Sequence, residues 1–302
     1  MARMVKIAAC NVMTEPVGSF GGFAAHVRRL LDQARDADLV LFPELFTIEL
    51  LTTYPDWERA PLTELPRVAA FTDDFKRLFE TEAKQRGQHI AAGSTLVECD
   101  GGYENTTFLY GPTGLVHTHA KTHIFPPEAD WNTVEGNVLA VAELPFARVG
   151  ITNCYEAEIP ECAASLAEQG AEILLAPSFT FTEHGFWRVR HCAQARCIEN
   201  QVYAVHCCTG ARPRGLLPAG WAQSSILAPC DQPWPAGGVL AEARANWETV
   251  VQAVVDLDAL HRNRELGAAP TFRDRRRRRD LYQSSPSHLH SGSSAPELQA
   301  IR

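Results

Sequence analysis

The sequence predicts a layered α/β fold, and three observations carry that reading. Short apolar runs alternate with stretches of helical period, which is the signature of β-α-β units. Antiparallel hairpins interrupt that alternation instead of following it. No stretch of linker composition divides the chain before its last twenty residues.

The elements follow in order. Val5 to Asn11 reads as a strand. A helix is expected over Gly22 to Ala37, where Phe23, Val27, Leu30, Leu31 and Ala34 fall on one face. Leu39-Val40-Leu41-Phe42 is an unbroken apolar run stopped by Pro43, the pattern of a strand buried on both faces. Phe71 to Gly87 fits a second helix, with Phe75, Leu78, Phe79 and Ala83 inward and Gly87 as its C-cap. His89 to Ser94 returns as a strand. Thr107–Tyr110 and Leu115–Thr118 flank Gly111-Pro112-Thr113-Gly114, so they form a hairpin. The alternation then starts again, with strands at 148–153, 172–176 and 202–206 and helices at 160–168 and 186–199. A hairpin is expected from 222–228 and 239–243, and a last strand over 249–257. From Ser284 the composition turns to Ser, Gly and Pro, so residues 284–302 are expected to be a disordered tail behind one domain, residues 1–283.

The composition excludes several classes of function. The chain has 302 residues, of which 45% are hydrophobic, enough to bury a core without disulfides or metal. A formal net charge of −8 argues against a general nucleic-acid binder. No run of about 18 apolar residues is present, so no membrane helix is expected. The first ten residues run straight into a strand without the apolar core of a signal peptide, and the protein reads as cytoplasmic. The nine cysteines are odd in number and lack the spacing of a zinc site; most are expected to be small buried residues. The run Arg275 to Arg279 is the strongest charge feature. The acidic remainder of the chain argues against reading it as a nucleic-acid patch.

Three segments place a reactive residue directly after a strand, where α/β folds put their sites. In Leu41-Phe42-Pro43-Glu44, a carboxylate follows an apolar strand; burial there would raise its pKa and make it a better base near neutral pH. Lys121 stands in His119-Ala120-Lys121-Thr122-His123, one of only four lysines in an arginine-rich chain. Cys154 lies in Thr152-Asn153-Cys154-Tyr155-Glu156, between a strand and a helix expected near Pro160. A tight turn would expose its sulfur and set a backbone N–H beside it. Each segment taken singly also fits a plain structural role.

Taken together, Phe42-Pro43-Glu44, Lys121 and Cys154-Tyr155-Glu156-x-x-x-Pro160-Glu161 resemble the nitrilase (carbon–nitrogen hydrolase) superfamily. Trp187, the stretch Ala195-Arg196-Cys197-Ile198-Glu199-Asn200-Gln201, Gln223–Pro229 and Arg279-Asp280-Leu281-Tyr282 are similar to further family segments, so the likeness covers roughly residues 4 to 282. The resemblance implies a four-layer α-β-β-α sandwich and a triad with Glu44 as general base, Lys121 as the cation facing the oxyanion and Cys154 as nucleophile. It implies a second carboxylate after the lysine, with Glu128 the matching candidate and Glu135 its competitor, and an oxyanion donor in the Tyr155 N–H. It implies no metal and no cofactor. The expected partners are a small amide substrate and further copies of the chain, as a homodimer or larger, with no nucleic acid and no membrane. Phe179, His184, Phe186 and Trp187 are candidates for the acyl pocket; His123 is read as structural. The activity so implied is a cysteine-dependent amidase acting on a small carboxamide or N-carbamoyl compound. Alternatives are a nitrilase, which more often carries Trp after the cysteine, a non-catalytic assembly module, and an amidotransferase subunit, which would need a synthetase domain.

Overall fold

The computed structural model describes residues 3–215 and 217–283, so the expected tail, 284–302, lies outside the described residues. The chain runs through β1 (Met4–Met13), α1 (Phe20–Gln33), β2 (Leu39–Leu41), two 3₁₀ stretches (Phe46–Thr53 and Leu62–Phe71), α2 (Thr72–Arg86), β3 (His89–Cys99), β4 (Gly102–Gly111) and β5 (Gly114–Ala120). A 3₁₀ turn (Pro126–Trp131) leads to β6 (Thr133–Val134), β7 (Ala142–Glu143) and β8 (Arg148–Ile151). Then come α3 (Tyr155–Glu158), α4 (Pro160–Glu168), β9 (Ile173–Phe179), α5 (Glu183–Asn200), β10 (Tyr203–Gly210), β11 (Ser225–Leu227), β12 (Val239–Glu242) and β13 (Thr249–Asp256). The described chain closes with α6 (Leu257–Leu266), α7 (Thr271–Arg277) and α8 (Arg279–Gln283).

The strands form two arrays. One runs β5-β4-β3-β2-β1-β13, parallel through β3-β2-β1 and antiparallel at its margins. The other runs β12-β11-β10-β9-β8-β7, parallel through β10-β9-β8. They meet where the end of β1 pairs with the end of β10, Val12 opposite Thr209 and Met13 opposite Gly210.

Side-chain alternation along β1 explains the layering. Val5, Ile7 and Ala9 point to one side, where they join Leu39, Leu41, Leu175, Tyr203 and Val205 in the core between the two arrays. Ala8, Cys10 and Val12 point to the other, against Phe23 and Leu31 of α1 and Phe75 and Phe79 of α2. The far face of the second array packs on Ala163 and Leu166 of α4 and Ala193 and Cys197 of α5. The result is helix, sheet, sheet, helix, the four-layer sandwich expected. It also explains why residues 39–42 read as an unbroken apolar run, since both faces of β2 are covered.

Most element positions agree with the sequence reading. Gly87 caps α2 at φ +67, and Pro160 opens α4 at a position where its missing N–H costs nothing. The differences have physical causes. A single helical turn, Tyr155–Glu158, precedes Pro160 where only a turn was expected. Helix α6 escapes the periodicity test because Asn263 and Arg264 lie on its buried face beside Leu257 and Leu260. The arginine run docks on its own chain: Arg276 donates to the Ala167 and Glu168 carbonyls at the end of α4 (3.2 and 3.0 Å), Arg279 pairs with Glu168 (2.7 Å), and Arg275 donates to Asn200 (2.8 Å). All nine cysteines are free, and most are buried as expected; Cys230 is exposed and Cys99 and Cys192 are half-buried. Among the described residues no helix is long and apolar enough to cross a membrane.

Phe79 tests the outer core. It is fully buried and meets Phe42 at 5.1 Å and Phe75 at 4.9 Å between ring centroids. Phe79→Ala should destabilise the protein by about 3–5 kcal/mol, measured as a shift in the urea unfolding midpoint.

Candidate active site

Three strand ends converge. After β2, Phe42 N–H donates to the Ala91 carbonyl (2.9 Å) and Leu45 N–H to the Ser94 carbonyl (3.0 Å), so β3 holds the loop that carries Glu44. This requires glycine at position 93. Gly93 has φ +69, and a Cβ there would stand 2.1 Å from the Pro43 carbonyl oxygen. After β5, Lys121 N–H donates to the Asn105 carbonyl of β4 (2.9 Å). After β8, Thr152 and Cys154 continue to pair with β9 through the Leu175 and Pro177 carbonyls (2.8 Å each).

Cys154 then turns sharply, with φ 51 and ψ −104. A non-glycine residue in such a conformation costs of order 1–3 kcal/mol and persists only where its surroundings determine it. Glu156 supplies that determination. Its buried carboxylate accepts from Asn153 N–H (2.6 Å), Thr122 N–H (2.7 Å) and Thr122 Oγ1 (2.6 Å), and meets His119 Nε2 at 2.8 Å. It therefore ties the cysteine turn to the segment that carries Lys121. Burial acts to raise the Glu156 pKa, yet the hydrogen bond and charge of His119, with Thr122, hold it below the usual carboxylate range.

The converging side chains form one buried ionic cluster. Lys121 Nζ lies 2.9 Å from Glu44 Oε1 and also donates to Glu128 Oε1. Asn105 Nδ2 bridges the same two carboxylates, at 3.0 Å from Glu44 and 3.2 Å from Glu128. Phe179 N–H donates to Glu44 Oε2 (2.7 Å), and the Phe179 carbonyl lies 3.8 Å from Cys154 Sγ. The Asn153 amide is assigned with its nitrogen toward the Pro177 carbonyl (3.0 Å) and Glu44 Oε1 (3.1 Å).

Burial sets the electrostatics. It acts downward on Lys121, but the charges of Glu128 and Glu44 outweigh it and hold the ammonium well above its ordinary value. On Glu44, burial acts upward and prevails over Lys121, with Glu128 adding to it, so the carboxyl is raised. Burial also pushes the Cys154 thiol up, reinforced by the charge of Glu44 and a hydrogen bond with it and opposed by Lys121. Cys154 reaches the wall of a cavity of about 230 Å³ lined by Phe125, Pro127, Tyr155, Phe179, Phe181 and Val189, with the Glu158–Arg188 ion pair (3.2 Å) also on its wall.

Glu44, Lys121, Cys154 and Glu128 thus come together. Glu135 does not: it is exposed and accepts from the Ile124 backbone (3.2 Å). Tyr155 opens α3, with its ring edge-on to Phe125 at 5.9 Å. Of the four pocket candidates only Phe179 lines the cavity. Phe186 faces inward on α5 and stacks on His206, Trp187 stacks on His191, and His184 is exposed. Helical phase explains this, since Gly185, Arg188 and Val189 are the α5 residues turned to the cavity. His123 contacts Thr122 Oγ1 and the Cys162 sulfur, away from the cavity wall. Sequence reasoning missed Asn105, His119, Thr122, Asn153 and the role of Glu156. The one available sign was the polar run Asn105-Thr106-Thr107 at the head of an apolar strand.

Residues 6–265 match the sequence model of the family described as carbon-nitrogen hydrolase. This chain belongs to that family. It is 35% identical over 283 residues to the probable hydrolase YhcX of Bacillus subtilis, covering 92% of this chain and 54% of that protein, so it spans about half of that relative's length. It is 31% identical over 261 residues to omega-amidase NIT2-A of Xenopus laevis, covering 82% of this chain and 86% of that one. The fold is similar to that of Saccharomyces cerevisiae Nit3, a member of the nitrilase superfamily, with a TM-score of 0.70 at 20% identity over 87% of this chain and 93% of the other.

The Glu156 tie makes a prediction. Glu156→Gln keeps the shape but weakens four charge-assisted contacts, and should cost about 2–4 kcal/mol. The folded-state pKa is depressed. The stability it contributes is therefore present above the ordinary carboxylate pKa and is lost as pH falls through the lower folded value. Unfolding measured across that acid range should show a flatter pH dependence in the variant than in the wild type.

Proposed function

We propose that this carbon–nitrogen hydrolase cleaves the C–N bond of a small carboxamide or N-carbamoyl compound through a thioester on Cys154. One observation carries the reading: a buried ammonium held between two buried carboxylates, beside a cysteine in a strained turn that opens on a small, mainly apolar cavity. The similarity to an omega-amidase supports it.

The steps follow from the geometry. Glu44 takes the Cys154 proton as sulfur attacks the amide carbonyl, so a buried thiol with a raised pKa becomes a thiolate only when the electrophile is in place. The carbonyl oxygen becomes an oxyanion, which Lys121 Nζ and the Tyr155 N–H stabilise; one such donor is worth on the order of 10²–10³ in rate. The tetrahedral species collapses as Glu44 returns its proton to the leaving nitrogen, and ammonia or an amine departs. Water then attacks the thioester, Glu44 takes a water proton, and collapse frees the acid while the proton returns to sulfur. Glu128 and Asn105 orient Lys121 and Glu44 throughout. Tyr155 after the cysteine favours an amide over a nitrile as substrate.

Cys154→Ala should lose turnover while keeping its circular dichroism and melting behaviour. With a panel of amides, ureides and nitriles, ammonia release and mass spectrometry of the wild type should find an acyl adduct on Cys154 from amides. Full hydrolysis of every amide by Cys154→Ala would overturn the nucleophile assignment, and turnover confined to nitriles would favour the nitrilase reading.

The raised Glu44 pKa fixes a sign as well. A base is inactive when protonated, so kcat/KM should fall as pH is lowered, along a limb that begins above the ordinary glutamate range. A pH–rate profile reads this directly.

A further inference from the structure

A second cavity, of about 650 Å³, opens at the other end of the parallel strands. Arg148 begins β8 and Glu172 precedes β9, whereas Cys154 and Phe179 lie past or at the far ends of those strands. Seven residues of β9 separate the two ends by roughly 20 Å. The cavity wall includes Arg3, Arg148, His261, Arg264, Phe272 and Arg276, with the carboxylates Glu143, Glu172 and Glu265.

The charges on this wall are unevenly compensated. Glu172 is fully engaged: it accepts from Arg3 (2.8 Å) and the Arg148 N–H (2.9 Å) and pairs with His261 (2.6 Å). Glu143 pairs with Arg148 (2.8 Å). Arg264 and Arg276 differ from these. Arg264 is 5% exposed and donates through Nε and Nη2 to the Gln201 and Ala171 carbonyls (2.9 and 2.8 Å). Arg276 donates to the Ala167 and Glu168 carbonyls. Among the described residues neither has a carboxylate within ion-pair distance, so carbonyl dipoles satisfy their N–H groups without neutralising their charge. Burial lowers the Arg264 pKa to about 10, opposed by the charge of Glu172 and reinforced by that of Arg276.

Phe272 fixes their spacing. Its ring carries the Arg264 guanidinium 4.2 Å from its centroid and that of Arg276 at 3.9 Å. Both guanidiniums therefore stand within roughly 8 Å of each other. Two guanidiniums without an ion-pair partner call for two negative charges, and a short chain with an anionic group at each end supplies one to each fork.

We propose that this cavity binds a small bis-anion, a molecule carrying two oxyanionic groups, with one group on Arg264 and the other on Arg276. The shared chemistry admits a dicarboxylate or a diphosphate. The site is independent of the cysteine chemistry and can be occupied together with it.

Calorimetric titration of the full chain with glutarate and with pyrophosphate, at constant ionic strength and with acetate as the single-group control, tests this. One bis-anion should bind one to one, at least tenfold more tightly than acetate. Arg276→Gln should weaken it roughly tenfold, and Arg276→Glu should abolish it. Hydrogen–deuterium exchange on the unaltered protein removes any dependence on how the variants fold: the ligand should protect segments 143–148 and 261–276 and leave the turn at 153–158 unchanged. Failure of both bis-anions to bind at up to about 10 mM, binding by Arg276→Glu equal to wild type, or protection at 153–158 instead, would each overturn the proposal.

Discussion

The Lys121 ammonium sets the terms for the rest of the molecule. A buried unpaired charge costs several kcal/mol even after relaxation, so a buried lysine is tolerated only with partners in fixed places. Here the ammonium and its two partners come from three separate elements: Lys121 from the end of β5, Glu44 from the loop after β2 and Glu128 from the 3₁₀ turn at 126–131. None can shift without leaving a charge uncovered. The backbone devices around them serve that requirement. Gly93 lets the Glu44 loop lie against β3, and Asn105 braces both carboxylates from β4.

Phe179 is one of the residues that tie the two sheet arrays to this cluster. The last of β9, it gives its N–H to Glu44 and turns its carbonyl toward the Cys154 sulfur. Glu44 belongs to the first array and Cys154 to the second, so the end of β9 measures the distance between them. The Thr209 hydroxyl of β10 adds a further link by donating to the Glu44 backbone carbonyl (2.6 Å). The sandwich thus does more than support the site. The gap between its layers is the gap between the carboxylate and the sulfur.

This division explains what could be read from the sequence and what could not. The strands were legible because burial on both faces leaves apolar runs at 39–42 and 173–176, and α2 was legible because its inward residues repeat at helical spacing and end on Gly87. Glu44, Lys121 and Cys154 were legible because each follows such a strand. The bracing residues were not. Asn105 sits within a strand, His119 within another, and a polar residue satisfied by a partner 23 or 37 positions away leaves no local pattern. The same limit hid α6, where a buried arginine breaks the apolar stripe. It also misplaced the acyl pocket, because a one-residue change of phase on α5 exchanges Phe186 for Gly185, Arg188 and Val189.

The protonation pattern also limits how the proposed chemistry begins. Three ionisable groups sit around one buried lysine, and burial raises the pKa of both Glu44 and Cys154. If the thiol were ionised at rest, the cluster would hold three anions against one ammonium in a region of low dielectric, which the raised thiol pKa opposes. The resting site therefore keeps sulfur protonated, unlike a cysteine paired with an imidazolium, whose thiolate is preformed. Attack on a carbonyl changes that balance, because the negative charge leaves sulfur and appears on an oxygen facing Lys121. In the proposed reaction the cluster favours the charge where it ends and not where it starts, which is the condition for accelerating a step instead of merely binding the substrate.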